Sequence, residues 1–360
     1  MKIGILTQPL TTNYGGILQN FALQKVLSGL GHDVYTIDYG KSSWLGYIHN
    51  CVSFARIGFR GNRPETPIEN RNKQRGFRQF IGKHIRTTVP RTGKIDWKLV
   101  DSLRFDAVIV GSDQVWRPCY NYDITAMFLK TIGGNIRKIA YAASFGTDVW
   151  EFTDLQTNEC RELIKSFTGV SVREEDAVGM CKRHLDCDAT WVLDPTLLLT
   201  KEDYQEVCID VECKRPFVFA YILDESEKKV SEIKRFAAAK GLDYLIKSAG
   251  PKADAKDTIE EWLSYFRDAK YVITDSFHGT VFSILFNKDF MVYGNNKRGN
   301  SRFNSLLGLF SLQNRLTASI PNEWSAIDWN AVNCAHKSKK EESINWLMSI
   351  SNCRNPTQIP

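Results

Sequence analysis

The chain opens on a short apolar run, Lys2–Leu6, that reads as a strand. Apolar positions then fall near 3.6 spacing at Ile17, Leu18, Phe21, Ala22, Val26 and Leu30. This predicts a helix over about Gly16–Leu30, closed by Gly31. The alternation continues, with strands expected at Asp33–Tyr39, Asp106–Val110, Lys138–Ala143 and Gly169–Arg173 and helices at Asp154–Phe167 and Glu175–His184. The second half repeats it. Strands are expected at Phe217–Leu223, Tyr244–Lys247, Tyr271–Thr274 and Phe290–Tyr293, with helices at Lys228–Lys240 and Thr258–Arg267. Asp257 with Glu260 three residues on reads as a capping box. A last helix is expected at about Lys339–Ser351.

Alternating strands and helices imply parallel sheets with right-handed crossovers. The predicted fold class is α/β, two Rossmann-like domains facing one another across a cleft. Asp194-Pro195 breaks the pattern. The expected division is residues 1–198, with a basic insertion at about 43–100, then 199–330, then 331–360 as a helical segment packing back on the first domain.

Composition narrows the class without naming a chemistry. At 360 residues the chain is long enough for two domains, and 43% hydrophobic with 24% charged residues is ordinary for a globular protein. The first residues read as a strand rather than a signal peptide, and no stretch is long enough to span a bilayer. Nine scattered cysteines without a CxxC pair suggest neither a zinc site nor a redox motif, and fit reduced thiols in the cytoplasm. The net charge of +6 is uneven: residues 51–94 hold eleven Lys/Arg against two Glu. With Trp44, Leu45, Tyr47, Ile48, Val52, Phe54, Ile57 and Phe59 before it, this segment reads as an interfacial helix with a basic flank touching the inner face of a membrane, or as a solvated excursion, the commoner case. No nucleic-acid module accompanies the charge, so nucleic acid ranks last.

The richest stretch is Tyr271–Phe282. A β-branched run stops at Asp275-Ser276, His278-Gly279 follow, and Thr280 begins an expected helix over 280–287. In open α/β sheets ligands bind beyond strand ends, and the unpaired amides of a helix start attract anions. Imidazole exchanges protons near neutral pH. A histidine that merely caps the strand end is the local alternative; the convergence of Asp275, Ser276 and Gly279 favours a functional role. The loop Thr11-Thr12-Asn13-Tyr14-Gly15-Gly16 opens the first helix without the GxGxxG or P-loop spacing. It reads equally as a tight turn or as a substrate contact. Gly111-Ser112-Asp113-Gln114 and Ala142-Ala143-Ser144-Phe145-Gly146 place small and polar groups at two more strand ends. Arg173 ends another, suited to a carboxylate or phosphate, or to a salt bridge with Glu174, Glu175 or Asp176. Lys297, Arg298 and Arg302 follow the last long strand, and Arg302 is expected to point at the cleft. Asp186-Cys187-Asp188 matches a DxD pattern but follows a helix, and reads as chance.

In their order and spacing, Asn13-Tyr14-Gly15-Gly16, Gly111–Trp116, Ala142–Gly146, Ser171-Val172-Arg173-Glu174, Asp194–Leu198 and Asp275–Gly279 resemble the polysaccharide pyruvyl transferase family over most of the chain. The resemblance implies a GT-B-like fold and transfer of a pyruvyl group from phosphoenolpyruvate to a sugar of a surface polysaccharide or its precursor, the sugar being free or lipid-linked, with formation of a ketal. It implies His278 as acid/base oriented by Asp275. Arg173, Ser276, Gly279, Thr280 and Arg302 would bind the donor. Asn13, Tyr14, Gly15, Gly16, Ser112, Asp113 and Ser144 would bind the acceptor. No step demands a metal or a cofactor. Family members often carry arginine where Ser276 stands; Lys297, Arg298 or Arg302 is expected to replace it. The alternatives are a glycosyltransferase using a nucleotide sugar and a non-enzymatic partner in polysaccharide assembly.

Overall fold

The computed structural model describes residues 1–39, 74–88, 95–211, 215–248, 257–294 and 300–352. The first sheet contains β1 (Lys2–Leu6), β2 (Asp33–Thr36), β3 (Ala107–Val110), β4 (Arg137–Ala143), β5 (Phe167–Val172) and β6 (Thr190–Trp191), in the order β2-β1-β3-β4-β5-β6. Every pairing is parallel. The second contains β7 (Phe217–Ile222), β8 (Asp243–Ser248), β9 (Tyr271–Thr274), β10 (Asp289–Tyr293) and β11 (Leu316–Thr317), in the order β11-β10-β9-β7-β8, also parallel. β3 and β7 are buried at every residue, as expected for strands covered on both faces.

Each sheet has a point where the strand order reverses, between β1 and β3 in the first and between β7 and β9 in the second. Crevices open outside the carboxyl ends of strands at such points. Helix α1 (Tyr14–Gly29) leaves β1 at the first. It is buried from Tyr14 through Gln24, because the second sheet's helices and the turn Pro195–Leu198 cover the face that β1 and β2 do not. One apolar cluster runs through both sheets, from Ile3 and Ile17 to Phe282 and Leu347. Across the seam Tyr14 stacks on Trp262 at 5.0 Å, touches Phe77 at 4.8 Å, and donates to the Asp257 carbonyl at 3.0 Å.

The remaining helices are α2 (Arg75–His84), α3 (Trp97–Ser102), α4 (Asp154–Ile164), α5 (Glu175–Leu185), α6 (Lys201–Gln205), α7 (Glu227–Ala239), α8 (Ile259–Asp268), α9 (Phe277–Leu285), α10 (Ser301–Leu309) and α11 (Trp329–Asn352). Helix α11 begins ten residues before the expected start and crosses back to the first sheet's side. There His336 Nε2 meets the Leu197 carbonyl at 2.7 Å, and Ser343 Oγ accepts from the Leu193 amide at 3.0 Å. The capping box of α8 is Thr258 with Glu261, one residue later than expected, because Asp257 is engaged by Lys247 at 2.8 Å. The two-residue strands β6 and β11 are too short to show a period. Of the basic segment, residues 51–73 and 89–94 lie outside the described residues, as does the expected interfacial stretch before it. Helix α2 within it buries Phe77, Phe80 and Ile81. Among the described residues no helix is long and apolar enough to cross a membrane.

Candidate functional site

Helix α9 starts at Phe277 rather than after Gly279, because Ser276 is its N-cap: its hydroxyl accepts from the Gly279 amide at 3.3 Å. His278 and Gly279 therefore lie in the first helical turn. Gly279 packs on β9, where a Cβ would lie 2.3 Å from Thr274 Oγ1. Thr280 Oγ1 donates to the Ser276 carbonyl at 3.0 Å. Ser276, Gly279 and Thr280, expected to hold the donor, thus spend these groups on one another.

His278 is 8% exposed and reaches across the seam to the start of α1. A Cβ at residue 15 would lie 1.9 Å from His278 Nδ1, so only glycine at that position admits the ring. On the other side, His278 Nε2 lies 3.6 Å from Asp194 Oδ2, an ion-pair distance longer than a hydrogen bond. Asp275 does not fill the orienting role expected of it. Its carboxylate accepts from the Leu223 and Asp224 amides at 2.5 and 3.0 Å and from Lys229 Nζ at 2.6 Å, so it ties the loop after β7 to the loop after β9. Sequence proximity pointed to Asp275, three positions before His278, but that strand-end residue faces the neighbouring loop.

Asp194 is the hub. Oδ1 accepts from the Thr196 amide and hydroxyl at 3.0 and 2.6 Å. Oδ2 takes Arg173 Nη1 at 3.0 Å, and Ser112 Oγ lies 3.3 Å away. Burial alone would raise its carboxyl; His278, Arg173 and Thr196 outweigh burial and hold it well below the usual carboxylate range. Arg173 Nε meets Glu174 Oε1 at 3.2 Å, and the same oxygen accepts from Ser144 Oγ at 2.6 Å. Arg173 is therefore a salt-bridged residue and also part of the site. Burial works against its charge, yet Glu174 and Asp194 prevail and raise it. Burial pushes the Glu174 carboxyl up, against the pull of Arg173.

Arg302 lies in the first turn of α10, 8% exposed. Arg173 and Arg302 both face the Phe277 ring, with guanidinium carbons 4.5 and 5.9 Å from its centre. Burial, then the neighbouring Arg173 charge, pushes Arg302 down to about 10. Two cations sharing one ring favour an anion between them. Between Arg173, Asp194, Phe277 and Arg302 lies a cavity of about 20 Å³, room for a water molecule. Arg173 Nη2, Glu174 Oε2 and His278 Nε2 are buried without a hydrogen-bond partner, capacity open to a bound water or polar ligand.

The first-sheet residues mostly gather here. Asn13 caps α1, accepting from the Gly16 amide at 3.2 Å, and its amide nitrogen lies 3.4 Å from Asp113 Oδ2. A Cβ on Gly16 would lie 3.1 Å from Asn13 Nδ2. Tyr14, expected at the acceptor, is instead consumed by the aromatic packing across the seam. Lys297 and Arg298 lie outside the described residues. Sequence reasoning missed Asp194 as a site residue, and also Phe277. The signal for Asp194 was the polar Asp-Pro-Thr following an apolar stretch, obscured because β6 is only two residues long.

A family model described as "Polysaccharide pyruvyl transferase" matches residues 13–297, a span holding His278, Asp194 and Arg173. No curated protein sequence matches. Among solved structures, a glycosyltransferase from Rickettsia africae aligns at TM-score 0.46 and 10% identity, over 97% of this chain and 93% of its own. The UDP-GlcNAc 2-epimerase of Methanocaldococcus jannaschii, in complex with UDP-GlcNAc and UDP, aligns at 0.43 and 12%, over 97% of this chain and all of its own. A UDP-N-acetylglucosamine 2-epimerase from Rickettsia bellii aligns at 0.44 and 9%, over 98% and 96%. Likeness at that level says nothing of chemistry.

Proposed function

This chain belongs to the polysaccharide pyruvyl transferase family, and we propose that it moves a pyruvyl group from phosphoenolpyruvate to a sugar of a surface polysaccharide or its precursor, closing a pyruvate ketal on two hydroxyls. The observation that carries the reading is His278 set between Gly15 and Asp194, with Arg173 and Arg302 beside it, where helix starts from both sheets meet.

The donor's methylene carbon gains a proton, leaving an oxocarbenium-like centre at the enol carbon. One sugar hydroxyl adds there, the bond to the phosphate oxygen breaks, and the second hydroxyl closes the ring. One hydroxyl proton is matched by the proton on the new methyl, and the other leaves with phosphate. In this reading His278 moves the proton, and Asp194 orients and charge-balances the imidazole. Arg173 and Arg302, aided by the positive ends of α1 and α9, hold the donor's carboxylate and phosphate and favour phosphate departure. The cavity between the arginines is smaller than phosphoenolpyruvate, so in this reading the seam parts to admit the donor.

The test is phosphate release from phosphoenolpyruvate across a panel of nucleotide-linked and lipid-linked sugars. Release by the wild type and a rate about 10²–10⁴-fold lower in His278→Ala are expected. Silence across the whole panel, or a full rate in His278→Ala, would sink the proposal. A thermal shift with UDP-sugars and none with phosphoenolpyruvate would point to a nucleotide-sugar donor instead.

A further inference from the structure

The loop after β3 carries two tyrosines that the scheme above does not use. The chain makes a short 3-10 turn, Pro118–Tyr120, and Asn121 follows in extended conformation with φ −120° and ψ 132°. The Asn121 side chain turns inward. Its Nδ2 donates to the Val115 and Arg117 carbonyls, both at 2.9 Å, and its Oδ1 accepts from Gln8 Nε2 at 3.2 Å. Tyr120 and Tyr122 face solvent, 49% and 102% exposed. The loop is braced. Asn121 ties it to itself and to the loop after β1. Arg117 flanks the Tyr120 ring at 5.3 Å and is gripped by both oxygens of Glu151, each at 2.9 Å.

Aromatic faces held out in water on a braced loop add little to the core. Their place ties them to the reacting cluster. The loop begins at Ser112, whose Oγ lies 3.3 Å from Asp194 Oδ2, and through Asn121 and Gln8 it is tied to the loop after β1 that leads to Asn13 and Gly15.

We propose that Tyr120, with Tyr122 beside it, is the stacking face for a pyranose ring of the acceptor at the mouth of the His278 cluster. This rests on the reading of the chain as a sugar-modifying transferase. A pyranose has an apolar C–H face and a rim of hydroxyls. The phenol ring supplies a flat partner for the face, and Arg117, Glu151 and Gln8 supply polar groups for the rim. The acceptor is thereby held by the first sheet's loops, opposite the second sheet's α9.

Saturation-transfer NMR on the full chain tests this, with the methyl β-glycosides of glucose, galactose and mannose as probes. Tyr244 is the control: it is 47% exposed with Lys234 5.7 Å from its ring, but stands on β8. At least one glycoside is expected to bind the wild type, about tenfold more weakly in Tyr120→Ala, and unchanged in Tyr244→Ala. Both changes are at the surface, and unaltered melting temperatures check that the fold is kept. Equal binding in wild type and Tyr120→Ala, or no binding by the wild type, overturns the platform. Thermal shifts with phosphoenolpyruvate in the same samples separate the two claims. No shift in the wild type counts against the donor and leaves a Tyr120-dependent sugar site standing; a donor shift with Tyr120-independent sugar binding removes the platform alone.

Discussion

Two buried aspartates sit near His278, one close in sequence and one close in space. Asp275 precedes it by three residues, ends β9, and gives both oxygens to the neighbouring loop and Lys229. Asp194 comes from the other side of the seam and faces the imidazole, with Arg173 on the same oxygen. The first holds together the switch point of its own sheet. The second joins the sheets at the seam, beside His278 and Arg173, where the proposed reaction would run. Both are carboxylates in polar cages, and only the partners tell them apart. Amides and a lysine fix a loop, whereas an imidazole and an arginine gather where the proposed chemistry would take place.

The sharpest break of this comparison is Asp194→Asn. Asparagine keeps the shape and the acceptor for Thr196 but removes the charge beside His278 and Arg173. Phosphate release is expected to fall by about 10²-fold or more. A pH titration of stability adds a second reading. The folded Asp194 carboxyl lies below its unfolded value, so its stabilising contribution is complete above ~3.9 and is lost as pH falls through the folded value. The stability gap between wild type and Asp194→Asn should therefore be widest at neutral pH and narrow in acid. A gap that widens toward low pH would mean that the carboxyl is not held down by its partners.

Asp275→Asn should do the opposite. It leaves Lys229 without its carboxylate and gives one loop amide a donor to face, at a cost of about 2–3 kcal/mol in denaturant unfolding. The turnover number per folded molecule should stay at the wild-type level. If Asp275→Asn instead lowers turnover while leaving the unfolding midpoint alone, the two carboxylates have been assigned the wrong way round.

How far the sequence carried these assignments depends on whether the information was local. β1 and β9 have the expected bounds, and the other long strands fall within a few residues, because buried parallel strands write themselves as apolar runs. His278, Gly15, Ser112, Ser144, Arg173 and Arg302 were all legible as strand-end or helix-start residues, and the fold brings them to one seam. Pairings across the seam were not legible. The link from His278 to Asp194 spans more than eighty residues, and nothing local distinguishes it from the nearer Asp275. Tyr14 shows the same limit in reverse: a tyrosine in a glycine loop looks like a ligand contact until Trp262 and Phe77 arrive from elsewhere in the chain to cover it.

Ser276 offers the smallest effect and the finest distinction. It occupies the position at which an arginine was expected from the family pattern, and its hydroxyl accepts from the Gly279 amide at 3.3 Å. If capping is its whole task, Ser276→Ala should cost about 1 kcal/mol of stability and Ser276→Gly only a few tenths, because glycine leaves the helix end open to water. The KM for phosphoenolpyruvate should stay put in both, since Arg302, 5.9 Å from the centre of the Phe277 ring, already supplies a cation in this reading. A rise in that KM in both variants, without the graded loss of stability, would make the hydroxyl a donor ligand after all.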